Sequence, residues 1–219
     1  MDVKSKLEEV RTRIERAGGD PSAVEVVAVT KGFDAEACRA AIDAGVCDLG
    51  ESYAQEAIAK ITDVGKKVGA RWHFIGRVQT NKVRVLGPLV SLWQSVDRDT
   101  LLDELGRRSP GARILIQVNI SDEPQKGGCA PGDVGRLVSS AEGAGLDVAG
   151  LMGIGPDGDP QAARPAFRLL RSLADDMGLA VRSMGMTADL EVAVEEGSTM
   201  VRVGTGLFGP RRSTDLPRD

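Results

Sequence analysis

The chain has 219 residues and a formal net charge of −4. This length allows one large domain or two small ones with a substantial hydrophobic core. The acidic balance gives no long-range attraction to nucleic acid or to an anionic membrane, so neither is an expected partner. No apolar run approaches the roughly 18 residues that cross a bilayer, and no signal peptide is recognisable. We therefore expect a soluble, cytoplasmic protein.

The few cysteine and histidine residues limit the possible metal chemistry. Cys38, Cys47 and Cys129 are odd in number and have no CxxC spacing, which predicts neither a disulfide framework nor a zinc site. His73 is the single histidine, so a multi-histidine metal centre is excluded. No metal site is predicted.

The pattern of apolar residues predicts an alternation of strands and helices. Helical spacing in the first residues predicts a surface helix at about 2–18. The nearly continuous apolar run VEVVAVT (24–30) is typical of a parallel strand covered on both faces. Seven more strands are predicted at 47–49, 71–75, 92–96, 113–120, 146–152, 181–183 and 199–203. Every strand but the last is expected to precede a helix, at 34–44, 53–67, 79–86, 97–108, 133–144, 162–177 and 188–196.

Eight strand–helix units predict an α/β protein with a closed (β/α)8 TIM barrel and an extra N-terminal helix. A closed sheet has no edge strands to protect. The chain is shorter than the ~250 residues typical of this fold, so we expect short loops and no second domain. The predicted organisation is one domain over 1–219, with the barrel at about 24–209 and a short C-terminal tail.

Lys31 follows the first strand directly, where the chemistry of parallel α/β folds is located. An amine at this position is a candidate Schiff-base former or phosphate clamp. A solvated lysine where a strand becomes a loop is the alternative interpretation.

Two further loops contain groups that suit an anion. Strand seven ends in Ser183, before Gly185 and Thr187, and strand eight ends in RVGTG (202–206). Hydroxyls and glycine-freed amides can bind phosphate, and barrels of this kind often bind it after strands seven and eight. Each glycine taken alone is better explained by a helix cap or a tight turn, but two such loops at the expected places, with a lysine after strand one, favour a binding site. Because strands one and eight are neighbours in a closed barrel, Lys31 and Arg202 are expected to face a shared cavity.

One glycine motif is discounted. Gly153, Gly155 and Gly158 form a GxGxxG string after strand six. A dinucleotide fingerprint opens a helix directly, whereas Pro156 and a turn-rich segment follow here, so nucleotide binding is not predicted.

Several long segments resemble one family. The segments VAVTKGF, DLGESYAQEA, WHFIGRVQTNKV, ILIQVNISDE and SMGMTADLEVAVEEGSTMVRVGTGLFG are similar to the pyridoxal phosphate homeostasis proteins. The fold of that family is the N-terminal barrel domain of alanine racemase. The resemblance implies that Lys31 carries pyridoxal 5'-phosphate (PLP) as a Schiff base and that Arg202 faces the pyridine nitrogen. The cofactor-binding residues predicted in this way are Lys31, Ser52, His73, Ser183, Thr187, Arg202, Gly204 and Thr205, with the phosphate on Thr187, Gly204 and Thr205.

Two positions depart from the family pattern. Ser52 stands where the family commonly has asparagine, which puts a direct contact of this side chain with the cofactor in doubt. Arg77 stands where histidine is usual, and it places a permanent cation in the loop after strand three. A solvated arginine at a helix start is the alternative for Arg77.

The residues around the predicted cofactor favour storage over catalysis. Arginine does not accept a proton, so Arg202 would leave the ring a weak electron sink. Alanine racemase takes its second base, a tyrosine, from a second domain, whereas Tyr53 and His73 are the only comparable bases here. We therefore expect a non-catalytic protein that buffers PLP or delivers it to apo-enzymes, as a monomer or weak homodimer. The alternatives are a PLP-dependent amino-acid racemase of low activity and a barrel enzyme for another phosphorylated metabolite.

Overall fold

The computed structural model describes residues 2–65 and 69–210. In this part of the chain, eight parallel strands pair in sequence order and β8 pairs with β1, so the sheet closes. This arrangement confirms the predicted TIM barrel. The strands are β1 (Glu25–Val29), β2 (Asp48–Glu51), β3 (Arg71–Phe74), β4 (Leu92–Val96), β5 (Arg113–Val118), β6 (Asp147–Gly153), β7 (Val181–Ser183) and β8 (Met200–Val203).

The helices surround this sheet, and the first of them precedes it as predicted. They are α1 (Val3–Arg16), α2 (Ala35–Asp43), α3 (Ala54–Val64), α4 (Val83–Leu86), α5 (Asp99–Arg108), α6 (Val134–Gly143), α7 (Arg164–Asp176), α8 (Leu190–Glu195) and α9 (Thr205–Phe208). The end of the helix predicted at 53–67 lies partly outside the described residues.

Several details of the prediction are wrong, among them the end of the fifth strand, which stops at Val118 rather than at residue 120. A short helix, α9, follows β8, although its four residues include a glycine and its pattern is too short to predict a helix. The second strand runs to Glu51, beyond the predicted end at residue 49, because Gly50 and Glu51 pair with His73 and Phe74 of β3. Tertiary pairing thus overrides the turn preference of glycine.

Apolar side chains pack in two layers, one inside the barrel and one between the strands and the helices. Val27 of β1 belongs to the inner layer and Ala28 to the outer layer, which confirms a strand covered on both faces. The inner layer fills the barrel with Val27, Leu92, Leu115, Met152 and Met200. The barrel is therefore a packed core rather than a pore.

Helix α1 packs against α8 and α9. Its buried face is formed by Val3, Leu7, Val10 and Ile14, and the Asp2 side chain caps it by accepting a hydrogen bond from the Ser5 amide at 3.0 Å. None of the helices within the described residues is long and apolar enough to cross a membrane.

Candidate functional site

Lys31 is half-buried and lies two residues after β1 ends. The turn that contains it is closed by a 3.0 Å hydrogen bond from the Phe33 amide to the Thr30 carbonyl. Gly32 has a φ of 76°, a conformation that favours glycine. Since β1 pairs with β8, with Val27 opposite Arg202, Lys31 lies at the carboxyl end of the barrel beside the end of β8.

A buried ion-pair cluster holds the backbone on both sides of Lys31. The Lys60 ammonium donates to the Thr30 carbonyl at 2.5 Å and to carboxylate oxygens of Glu51 at 2.7 Å and Glu56 at 2.5 Å. The Glu56 carboxylate also accepts a 2.6 Å hydrogen bond from the Gly32 amide. The peptide groups before and after Lys31 are thus fixed from the layer between the sheet and α3.

Glu51 is the most unusual member of this cluster. The residue is 1% exposed, and its Oε2 atom has no hydrogen-bond partner among the described residues. Burial raises the pKa of Glu51 to about 7, against the opposing effect of Lys60. The cluster therefore contains a carboxyl group that titrates near neutral pH.

Arg202 is a buried cation inside the barrel, near the carboxyl ends of the strands. Its guanidinium donates to the carbonyl of Ser183 at 2.7 Å, the hydroxyl of Ser183 at 2.8 Å and the carbonyl of Gly153 at 2.8 Å. Burial lowers the pKa of Arg202 to about 10. No carboxylate of the described residues forms a salt bridge with it.

A chain of hydrogen bonds leads from Arg202 through the barrel interior. The Ser183 hydroxyl donates to Gln94 Oε1 at 2.7 Å, and Gln94 Nε2 lies 2.8 Å from His73 Nδ1. His73 Nε2 lies 3.0 Å from Asp48 Oδ1. With Gln94 donating to Nδ1, Nε2 carries the proton that is donated to Asp48. Both ring nitrogens of His73 are therefore engaged within the protein.

This series of hydrogen bonds ends in an ion cluster at the amino end of the barrel. Arg71 forms salt bridges to Asp48 and, at 3.3 Å, to Glu25. Burial alone would raise the pKa of Asp48, but hydrogen bonds from His73 and Arg71 outweigh it and lower the pKa to about 2. Ligand atoms of Glu25, Asp48 and His73 lie within 4.8 Å of one another, but both carboxylates already form salt bridges with Arg71.

The loops after β7 and β8 are joined at Thr187. The hydroxyl of Thr187 accepts a 3.1 Å hydrogen bond from the Gly206 amide. A Cβ atom at Gly206 would lie 3.1 Å from Thr187 Cγ2 and 2.8 Å from Val203 Cγ1, so only glycine fits between the loops. Arg13 of α1 donates to the Thr187 carbonyl at 2.8 Å and pairs with Glu191 at 2.6 Å. The extra N-terminal helix thus anchors this loop.

These groups match the chemistry expected at the carboxyl end. A primary amine, a buried guanidinium and a pair of hydroxyl-bearing loops lie on the neighbouring strands β1, β7 and β8. Thr187 and Gly204 are half-buried and Thr205 is exposed, so the loops remain open to a ligand. Such a donor set suits a phosphate, and the amine suits an aldehyde.

Comparison with known proteins decides the family. Residues 3–212 match the family model described as alanine racemase, N-terminal domain. The pyridoxal phosphate homeostasis protein of Pseudomonas aeruginosa is 40% identical over 92% of this chain and 91% of its own length. The corresponding protein of Aquifex aeolicus is 39% identical over 94% of this chain and 95% of its own. The chain belongs to the pyridoxal phosphate homeostasis protein family.

Solved structures of relatives agree with this assignment. PipY of Synechococcus elongatus without PLP has a TM-score of 0.84 at 31% identity, covering 94% of this chain and all of its own. The same protein with PLP bound has a TM-score of 0.78 at 30% identity, covering 91% of this chain and 100% of its own. An alanine racemase of Clostridium difficile shares the fold, with a TM-score of 0.75 at 13% identity. This chain spans 58% of that racemase.

The predicted site residues occupy different environments. Lys31, Arg202 and the loops at Thr187 and Gly204 lie on neighbouring strands, as expected. Ser183 and His73 are enclosed in the interior network, and their contacts with a cofactor stay predictions. Ser52 directly follows β2 and lines a cleft together with residues that follow β3.

Sequence reasoning missed the residues that support the site: Arg13, Asp48, Glu51, Glu56, Lys60 and Gln94. Lys60 lies four residues after Glu56 on α3, a helical ion-pair spacing that was visible in the sequence. Its burial was not visible there.

Proposed function

We propose that this protein binds PLP and takes part in intracellular PLP homeostasis. The observation that carries the proposal is the placement of Lys31, which is fixed at the carboxyl end of β1 beside the end of β8. Membership of the family and the PLP-bound structure of PipY support the choice of ligand. When bound, PLP supplies an aldehyde that condenses with a primary amine and releases water.

Each of the predicted residues would then have a separate role in binding the cofactor. Lys31 supplies the amine for a reversible Schiff base. The loops at Thr187, Gly204 and Thr205 hold the phosphate through hydroxyl and amide groups. Arg202 faces the pyridine nitrogen as a hydrogen-bond donor that cannot take up a proton. The clamp of Lys60 and Glu56 keeps the backbone around Lys31 in place.

The arrangement favours storage and transfer over catalysis. The relatives are named as homeostasis proteins. Tyr53 is the only tyrosine of the chain, and His73 is held on both ring nitrogens. We infer that the protein buffers PLP or delivers it to apo-enzymes, as one domain that acts as a monomer or weak homodimer in the cytoplasm.

An absorbance spectrum of the PLP-loaded protein tests this proposal. Wild type is expected to show a visible band that borohydride bleaches and fixes covalently, whereas Lys31→Ala loses both the band and the fixation. Lys6→Ala, an exposed lysine of α1, is the matched control and should behave as wild type. The same band in Lys31→Ala and in wild type would show that another amine binds the aldehyde.

A racemase of low activity is the second candidate, because the fold is shared with alanine racemase. A chiral assay for exchange of the α-hydrogen of alanine or serine separates the two functions. We expect no exchange above the rate of free PLP. Turnover that Lys31→Ala abolishes would establish the racemase instead.

A further inference from the structure

A cleft at the carboxyl end of the barrel lies over the loops after β2, β3 and β4. We call it the rim cleft. It has a volume of about 610 Å³, and its polar lining includes Ser52, Tyr53, Arg77, Thr80, Lys82 and Arg98. In the barrel order, β3 and β4 lie four strands from β7 and β8, across the sheet from the loops proposed for the cofactor phosphate. The rim cleft therefore lies apart from the loops proposed for the cofactor phosphate, although it shares Ser52 with the predicted cofactor-binding residues.

The charges of the rim cleft are unbalanced. Three cationic side chains line it and no lining residue is acidic. The side chains of Arg77 and Lys82 form neither a salt bridge nor a hydrogen bond within the described residues. Arg98 pairs with Asp97 at 2.7 Å, so that one cation is compensated. Two cations of this concave surface are therefore not compensated by carboxylates of the described residues, although the net charge of the protein is −4.

Hydrogen bonds and close backbone packing tie the walls of the rim cleft together. Arg98 donates a 2.5 Å hydrogen bond to the Val78 carbonyl. The Ser95 hydroxyl donates to the Gly76 carbonyl. Gly76 packs so closely on the loop after β2 that a Cβ atom there would overlap the Ser52 carbonyl oxygen. The loops after β2, β3 and β4 are thus held in fixed positions, which lowers the entropic cost of binding a ligand.

The chemistry of the lining selects the ligand class. Guanidinium groups match pairs of phosphate oxygens, and an ammonium adds a point charge. Hydroxyls of Ser52 and Thr80 add neutral donors. We propose that the rim cleft is a binding site for a phosphomonoester or inorganic phosphate dianion, recognised chiefly by Arg77 and Lys82. This site goes beyond the proposed cofactor site and does not require it.

Calorimetric titration tests the site on protein loaded with PLP and reduced with borohydride, so that the cofactor loops are already filled. The ligands are inorganic phosphate and pyridoxine 5'-phosphate, which has no aldehyde. Wild type is expected to bind at least one of them, and the double variant Arg77→Gln/Lys82→Gln to bind at least tenfold more weakly. Arg84→Gln removes an exposed arginine outside the cleft and should leave binding unchanged.

The outcomes distinguish the two sources and the two proposals. Binding of inorganic phosphate identifies the free ion as sufficient, whereas binding of pyridoxine 5'-phosphate alone identifies a vitamin-derived ester. Equal binding by wild type and the double variant, or no binding by wild type, overturns the rim-cleft site. Circular dichroism confirms that the double variant is folded. The titrations are repeated without PLP, so a failure of the proposed cofactor function, seen as a missing visible band, remains a separate result.

Discussion

The two ends of the barrel use charge in different ways. At the amino end, Glu25, Asp48, Arg71 and His73 form salt bridges and hydrogen bonds with one another. At the carboxyl end, Arg202 is buried against carbonyl and hydroxyl oxygens and forms no salt bridge with a carboxylate of the described residues. The difference between these two groups suggests that the paired charges of the amino end stabilise the fold, whereas Arg202 is placed to meet a ligand. The Lys60 cluster beside Lys31 is a paired exception at the carboxyl end.

A prediction follows first for the amino end. Asp48→Ala should lower the free energy of unfolding by roughly 3 kcal/mol, because His73 and Arg71 lose a buried carboxylate. Urea denaturation of the protein without cofactor measures this change. The control is Asp147→Ala at the first residue of β6, since Asp48 is the first residue of β2. Asp147 is exposed and 3.6 Å from Arg113, so its loss should cost less than about 0.5 kcal/mol. Equal costs would contradict the contrast between the ends.

The hydrogen bonds of Gln94, which connect Ser183 with His73 inside the barrel, should make an intermediate contribution to the free energy of unfolding. Gln94→Leu removes the partner of His73 Nδ1 and the acceptor of the Ser183 hydroxyl, so we expect a loss of about 2 kcal/mol. Gln117→Leu, a buried glutamine on β5 with one hydrogen bond to the Lys126 carbonyl, should cost about 1 kcal/mol. Chemical denaturation compares the two variants. A smaller loss for Gln94→Leu would show that the network carries little stability.

The features that could be predicted from the sequence are those that depend on neighbouring residues along the chain. The barrel followed from strand periodicity and from the count of eight strand–helix units, because parallel strands covered on both faces are nearly continuous apolar runs. Lys31 and the glycine-rich loops could be found because they directly follow strands. These features depend on local order along the chain.

The supporting residues could not be found in this way. Asp48 and His73 are 25 residues apart, and Gln94 and Ser183 are 89 apart, so only the closed sheet brings each pair together. Lysine is usually found on the protein surface, and the burial of Lys60 depends on how α3 packs on the sheet. The predicted end of β2 was wrong for the same reason, since pairing with β3 decides it.

At the carboxyl end, the expected effect is on affinity rather than stability. Thr187→Val removes the hydroxyl that joins the two loops at Gly206, so we expect PLP to bind about tenfold more weakly, equivalent to about 1.4 kcal/mol. The free energy of unfolding without cofactor should change by less than about 1 kcal/mol. Absorbance titration with PLP measures the affinity. Thr62→Val, on the exposed face of α3, is the control and should bind as wild type. An unchanged affinity for Thr187→Val would remove this loop from the proposed phosphate site.

The last comparison concerns the pH dependence of stability, because β2 carries one carboxyl group with a lowered pKa and one with a raised pKa. The pKa of Asp48 is lowered from 3.8 to about 2, so the unfolded chain binds more protons than the native state between these values. The contribution of Asp48 to stability is present above pH 4 and is lost as the pH falls toward 2. Asp48→Asn should make the unfolding free energy less dependent on pH in this window, as measured by urea titrations at several pH values.

Glu51, three residues further along β2, should act with the opposite sign. Its pKa is raised from 4.5 to about 7, so the native state binds the extra proton. Stability from Glu51 is therefore present below pH 4.5 and declines as the pH rises toward 7. Glu51→Gln should flatten this decline and leave the loss of stability between pH 4 and pH 2 unchanged. Asp48→Asn should flatten the loss at low pH and leave the decline toward pH 7 unchanged. If each substitution altered both limbs, the two carboxyl groups would belong to one electrostatic system, and the separation between the two ends of the barrel would not hold.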